Sequence, residues 1–281
     1  MAIPKSLIIG GAQIGQHYGL VRPTSFADGG SVQQLLDLAQ VAGFGAIDTA
    51  RTYGESERLI GSHSWGGLIH TKLDEHDAPE SSLRASLDAL GREEVEVLYV
   101  CHDASRVADS SYGRWRKHFQ NLRGFSRTFG AAIYADQLDF PLLEFDEIQA
   151  IQIPFNILSP EMIRDRVSEW RMSGKTVNAR SIFAQGLLVE SSTRNLSPEF
   201  KRPIRALHAV ATNLEISAAE LAFRWILSYP EIDGVVLGIA QLEEVDAVSS
   251  WLDKGPMPED EFAFVESELE SLRHDIDLRK I

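Results

Sequence analysis

Eight short runs of β-forming residues punctuate the chain, and helical periodicity follows most of them. The runs are Leu7–Ile9, Ala46–Ile47, Leu68–His70, Val95–Val100, Ala131–Tyr134, Ala150–Ile153, Thr176–Ala179 and Gly234–Leu237. Most are nearly continuous apolar segments rather than alternating ones, as expected of strands buried on both faces. Between them, "SVQQLLDLAQVAG" gathers Val32, Leu35, Leu36, Leu38, Ala39 and Ala42 mainly on one helical face and ends at Gly43. "PESSLRASLDALG" repeats the form, with Pro79 near its start and Gly91 at its end, and "SAAELAFRWILSYP" does so again. Eight strand–helix repeats in 281 residues point to a closed α/β architecture, a (β/α)8 TIM barrel, rather than an open sheet. An open dinucleotide-binding sheet usually carries G-x-G-x-x-G after its first strand, whereas "GGAQIG" places Gly10, Gly11 and Gly15 out of that pattern. No interdomain linker is evident, so residues 1–281 read as a single barrel domain. Phe262, Val265 and Leu269 fall on helical spacing after Pro258 and predict an additional C-terminal helix packed on the barrel.

The formal charge of -14 argues against a nucleic-acid partner or an anionic membrane surface engaged through a general basic face. It leaves room for a small anionic ligand held locally. No run of about 20 apolar residues predicts a membrane span. Residues 1–20, with one Lys and a brief apolar piece, do not read as a secretory signal. Cys101 is the only cysteine, which excludes an internal disulfide, and there is neither paired-cysteine spacing nor HExxH to suggest a metal. A reduced, cytoplasmic compartment is the plain expectation.

In such a barrel the chemistry lies at the C-terminal ends of the strands. The second run delivers Asp48 there, with Tyr53 in the loop beyond; the third, "LIHTKL", delivers Lys72; the fourth, "VEVLYVCHD", delivers His102. Taken singly, each has an ordinary role: a turn or helix cap, a packing phenol, a solvated lysine, a buried imidazole. Packing does not require all of them at one mouth. Together they suit hydride addition to a carbonyl, which builds negative charge on oxygen and calls for a nearby acid. A free phenol, with a pKa of about 10, is a poor acid at neutral pH. The ammonium of Lys72 would lower it, Asp48 would hold Lys72 in place, and His102 would orient the carbonyl.

At these residues the sequence resembles the aldo-keto reductase family. "DTARTYGESE" matches that family's D-T-A-x-x-Y-G-x-S-E at every fixed position, from Asp48 to Glu57, and Thr71–Lys72 and His102 follow in the family's order. The resemblance implies reversible reduction of a small-molecule carbonyl, with Tyr53 as proton donor and a nicotinamide cofactor extended across the barrel mouth. It places Gln152, in "QIPFNIL", beside the carboxamide. In "ARSIFAQGLL" it places Arg180 next to the nicotinamide and backbone amides from Ser181 through Gln185, Gly186 and Leu187 near the pyrophosphate. In "GIAQLEEVDAV" it places Gly238 and Gln241 near the adenosine phosphate, with Glu244 and Val248 by the adenine.

Three departures from the pattern bear on the cofactor. Ala132–Ile133 stand where many relatives grip the carboxamide with Ser-Asn, and Arg180 stands where many have a stacking aromatic. No Lys or Arg occurs from Ile239 to Asp253, where many NADPH-using relatives carry a basic residue for the 2′-phosphate. The family resemblance implies NADP(H), and the missing clamp admits NAD(H). The "GGAQIGQHYG" opening is reminiscent of a bacterial branch associated with sugars and surface polysaccharides; it nominates Gln13, His17 and Tyr18 for a polar, sugar-derived substrate. Two other readings stand beside this one: a cofactor-binding regulatory subunit acting through a partner, and an unrelated barrel enzyme using Lys72 as a Schiff base. Oligomeric state is not legible.

Overall fold

A computed structural model describes residues 5–19, 26, 29–74, 78–101, 112–189, 196 and 198–273. Eight strands form a closed barrel: β1 (Ser6–Gly10), β2 (Ala46–Asp48), β3 (Leu68–Asp74), β4 (Val95–Cys101), β5 (Ser126–Ala132), β6 (Ile148–Pro154), β7 (Thr176–Arg180) and β8 (Gly234–Gly238). Each is parallel to the next, and β8 closes on β1. The helices are α1 (Ala12–Gly15), α2 (Gly29–Val41), α3 (Ser56–Gly61), α4 (Pro79–Leu90), α5 (Tyr112–Leu122), α6 (Glu161–Met172), α7 (Pro198–Asn213), α8 (Ala218–Leu227), α9 (Glu243–Lys254) and α10 (Glu259–Arg273).

The main core lies between barrel and helices, where outward strand residues such as Ile9, Ile47, Leu98, Ile151 and Leu237 meet the helical faces. On α2, Val32, Leu35, Leu36 and Ala39 are buried as their spacing predicts, but Leu38 is exposed at the edge of that face. Pro79 opens α4, and Gly91 closes it in the left-handed region (φ 63°). The Gly91 and Arg92 amides there return to the carbonyls of Asp88 and Leu87, a turn that a Cβ would strain.

Two expectations shift. The fifth strand was expected at Ala131–Tyr134 but runs Ser126–Ala132. Its first residues lie at the barrel's N-terminal rim, where the side chain of Arg127 reaches solvent and Glu94 (2.8 Å), so apolarity is not needed. The third strand extends to Asp74, which places Lys72 within the ladder opposite Tyr99 rather than beyond it. Between β5 and β6 the chain has only a 3-10 turn at Pro141–Glu144, and Leu138, Phe140, Leu142 and Leu143 bury themselves where a helix would otherwise cover the barrel.

Inside the barrel the alternation of side chains decides what reaches the mouth. Ile8, Ala46 and Val236 form one small apolar cluster, and Val97, Tyr99, Ala132 and Ala150 form another. The neighbouring inward positions are polar and buried: His70, Asn178, Gln152, Lys72 and Asp48. Asn178 Nδ2 donates to the Tyr99 hydroxyl at 2.7 Å, and His70 meets the Tyr99 ring edge-on at 6.1 Å. Toward the C-terminal ends of the strands the interior opens into a cleft bordered by Gly10, Asp48, Arg180 and Gly238. The expected C-terminal helix is α10, with Val265, Leu269 and Leu272 buried and Phe262 packed against the core.

Candidate active site

Asp48 ends β2 with both carboxylate oxygens engaged. Lys72 Nζ forms a buried ion pair with Oδ2 and donates to the Thr49 carbonyl at 3.1 Å, while Gln152 Nε2 donates to Oδ1 at 2.7 Å. The Lys72 ammonium lies 5.1 Å from the centroid of the Tyr53 ring. Burial works to lower the Lys72 pKa, but Asp48 and Tyr53 together hold it above the ordinary lysine value. Tyr53 corrects a sequence expectation. Lys72 does pull its phenol down, but burial pushes harder, and the net direction is upward.

The residues between Asp48 and Glu57 lock the phenol in place. Ser56 Oγ donates to the Gly11 carbonyl at 2.8 Å, which leaves the Thr49 hydroxyl to donate to Ser56 Oγ at 2.9 Å. Thr71 Oγ1 donates to the buried Glu57 at 2.8 Å, and Arg51 pairs with the other Glu57 oxygen at 3.5 Å. The Tyr53 amide turns back to the Ala50 carbonyl at 3.0 Å. Against this loop packs Gly15 of α1, where a Cβ would stand 1.9 Å from the Tyr53 carbonyl oxygen. The D-T-A-x-x-Y-G-x-S-E pattern is therefore largely a scaffold that fixes one acid and one phenol. His102 lies outside the described residues.

An elongated cleft of about 390 Å³ starts at Asp48 and Tyr53, crosses Gly10, Gly11 and Gly238, and ends at Glu244, Val248 and Trp251. Gln13, Tyr18, Arg180, Ser181, Gln185, Gly186 and Gln241 border it. Three candidates are placed elsewhere. His17 is exposed and off the wall, Leu187 is buried in the main core, and Gln152 is sealed beneath the floor. The Gln152 Oε1 nevertheless has no partner, an unsatisfied buried acceptor beside Asp48. In the loop after β7, Ser181, Ala184 and Gln185 have positive φ (55°, 47° and 54°). The amides of Ala184, Gly186 and Leu188 bond within that loop, which narrows the set that can face a phosphate.

Arg180 is fixed on three sides. Its Nη2 donates to the Ile133 carbonyl at 3.1 Å, its Nη1 to Ser181 Oγ at 3.3 Å, and its guanidinium lies 4.8 Å over the Tyr134 ring. Ile133, part of the pair that replaces Ser-Asn, thus serves to position the arginine. At the far end, Glu244 accepts from the amides of Ala240 at 2.6 Å and Gln241 at 3.4 Å. Lys201 and Arg202 belong to α7 and do not border the cleft. Trp251 escaped sequence reading. Its signal was its spacing, since Glu244, Val248 and Trp251 stand at i, i+4 and i+7 of α9.

A sequence model described as the Aldo/keto reductase family matches residues 6–270. The oxidoreductase sirO of Leptosphaeria maculans is 24% identical over 271 residues, covering 81% of this chain and 82% of that protein. The holo form of aldo-keto reductase AKR11C1 from Bacillus halodurans superposes with a TM-score of 0.75 at 16% identity, covering 95% of each chain. An aldo-keto reductase from Klebsiella pneumoniae in complex with NADPH does so with a TM-score of 0.71 at 16% identity, covering 94% of this chain and 91% of that one. Among the described residues no helix is long and apolar enough to cross a membrane.

Proposed function

Because this chain belongs to the aldo/keto reductase family and is thereby a nicotinamide-dependent oxidoreductase, we propose that it reduces a polar, sugar-derived aldehyde or ketone with Tyr53 as the proton donor. The carrying observation is the Asp48–Lys72 pair, buried, clamped from both sides and set under the Tyr53 ring. When bound, the reduced cofactor supplies hydride. The glycine floor at Gly10, Gly11 and Gly238 admits a flat, extended ligand.

Tyr53 donates its hydroxyl proton to the carbonyl oxygen as charge develops there. The ammonium of Lys72 stabilises the phenolate that remains, and Asp48 keeps that ammonium charged despite its burial. Burial of Tyr53 keeps the proton on the phenol until substrate draws it off. His102 is assigned the carbonyl-orienting role by its match to the family pattern. Gln13 and Tyr18 border the reactive end and are proposed to meet substrate hydroxyls; His17, exposed and off the wall, is not. The Glu244 carboxylate and the absence of Lys or Arg from Ile239 to Asp253 favour NAD(H) over NADP(H). No observation favours a regulatory-subunit role or a Schiff base on Lys72, whose nitrogen is committed to Asp48 and Thr49.

Tyr53→Phe tests the assignment. The ring keeps its volume and loses its proton, so cofactor affinity is expected to hold while carbonyl reduction falls about 100-fold or more. Wild-type turnover by Tyr53→Phe on a good substrate assigns the acid elsewhere.

A further inference from the structure

Arg180 is the one basic side chain on the described wall of the cleft, and it stands at the reactive end, beside Asp48 and Tyr53. The carbonyl of Ile133, the hydroxyl of Ser181 and the face of Tyr134 hold it as a fixed planar cation. The neighbouring charges do not cancel it. Lys72 is consumed by Asp48 in a buried pair, which leaves that pair close to neutral. Tyr53 stays protonated, and Glu244 lies at the opposite end of the cleft. The described residues therefore give the reactive end a net positive charge, set by Arg180.

The two redox forms of a nicotinamide ring differ in this respect. The oxidised ring carries a positive charge, and the reduced ring is neutral and electron-rich. A guanidinium held against the space such a ring would fill repels the first and stacks favourably on the second. We infer that Arg180 is a charge-discriminating residue that makes this protein bind reduced nicotinamide more tightly than oxidised, so that the reduced form outcompetes the oxidised one for the free enzyme. The inference rests on reading the cleft as a nicotinamide site and adds to it a preference between the cofactor's two redox forms.

The test is equilibrium binding rather than turnover. NADH, NAD+, NADPH and NADP+ are titrated against the intact wild-type protein and two neutral variants, Arg180→Met and Arg180→Gln, by quenching of protein fluorescence. Arg180→Lys keeps charge without the plane. Wild type is expected to bind each reduced form about tenfold more tightly than its oxidised form. In either neutral variant the ratio should fall about tenfold, mainly through tighter binding of the oxidised form, and Arg180→Lys should keep most of it. Circular dichroism identifies which variants fold, and Arg180→Gln retains hydrogen-bonding capacity for Ile133 and Ser181. An unchanged ratio in a folded neutral variant, or a wild type that prefers the oxidised forms, overturns the inference and leaves the site reading intact. Failure of every cofactor to bind wild type overturns both.

Discussion

Under the proposed reading of the cleft as a cofactor site, Glu244 is the residue that would choose between cofactors without touching the reaction. Its carboxylate does two things at once. It accepts from the Ala240 and Gln241 amides at the start of α9, and it places negative charge on the cleft wall. A 2′-phosphate at this end would compete with that carboxylate for the same amides and be repelled by it, whereas a ribose hydroxyl could donate to it. Glu244→Gln removes the charge and keeps an acceptor for the amides; Glu244→Arg also supplies a cation. The expected order of NADPH affinity relative to NADH is wild type, then Gln, then Arg, with a total span of about tenfold or more. Fluorescence titration of both cofactors reads it directly. A wild type already selective for NADPH, with no gain in Glu244→Arg, would place the phosphate elsewhere. This selectivity is independent of Arg180, which discriminates by the ring's charge and leaves the phosphate unread.

Among the elements, α10 is attached to the barrel by a polar knot as well as by apolar burial. Glu266 accepts from Trp225 Nε1 at 2.7 Å, from Arg164 at 2.6 Å and from Arg273 at 2.6 and 3.0 Å, and so ties α10 to α8 and α6. Burial raises its pKa, but the bonds from Arg273 and Trp225 and the two guanidinium charges outweigh this and hold the carboxyl below its usual range. Glu266→Ala leaves the buried Arg273 and the half-buried Arg164 facing each other without an acceptor between them, and is expected to cost about 3 kcal/mol in denaturant unfolding. Glu268→Ala, exposed on the same helix, should change stability by about 0.5 kcal/mol or less. Equal effects from the two would reduce the knot to surface decoration. The helix itself was legible from Val265 and Leu269, but the knot was not, because its partners are 41, 102 and 7 residues away in the chain. The same division runs through the fold. Central strands such as Val95–Cys101 are apolar on both faces and identify themselves. The start of β5 faces the rim, and the β5–β6 connection replaces a helix with isolated buried leucines, so neither leaves a periodic trace. Asp48, Tyr53 and Lys72 stood out by motif, whereas the Gln152 bond to Asp48 spans 104 residues and needs the closed barrel to exist.

At the scale of the whole molecule, a barrel filled with polar side chains makes stability depend on pH in a way an apolar interior would not. His70 is the sharpest case. It is 5% exposed, stands opposite Asp48 in the β2–β3 ladder and two residues before Lys72, and has no partner for Nδ1. Burial, assisted by Lys72 and opposed by Asp48, pushes its pKa down from 6.5 to about 4. Above about pH 6.5 the imidazole is neutral in folded and unfolded chains alike, and its contribution is intact. As the pH falls below that value the unfolded chain takes up a proton that the folded barrel refuses, so stability declines until the native imidazole also protonates near pH 4. Between pH 7 and pH 5 the loss amounts to about 2 kcal/mol at about 1.36 kcal/mol per pH unit. Glu266, with its depressed pKa, adds a separate loss only at lower pH, as its unfolded counterpart protonates near 4.5. Denaturant unfolding at the two pH values, wild type against His70→Gln, separates the contribution. The variant keeps a polar side chain of similar reach and cannot titrate here, so its stability should change by about 2 kcal/mol less across the interval. Equal declines in the two proteins would mean that the folded barrel accepts a proton at His70 as readily as the open chain does, and that the interior is wetter than its packing implies.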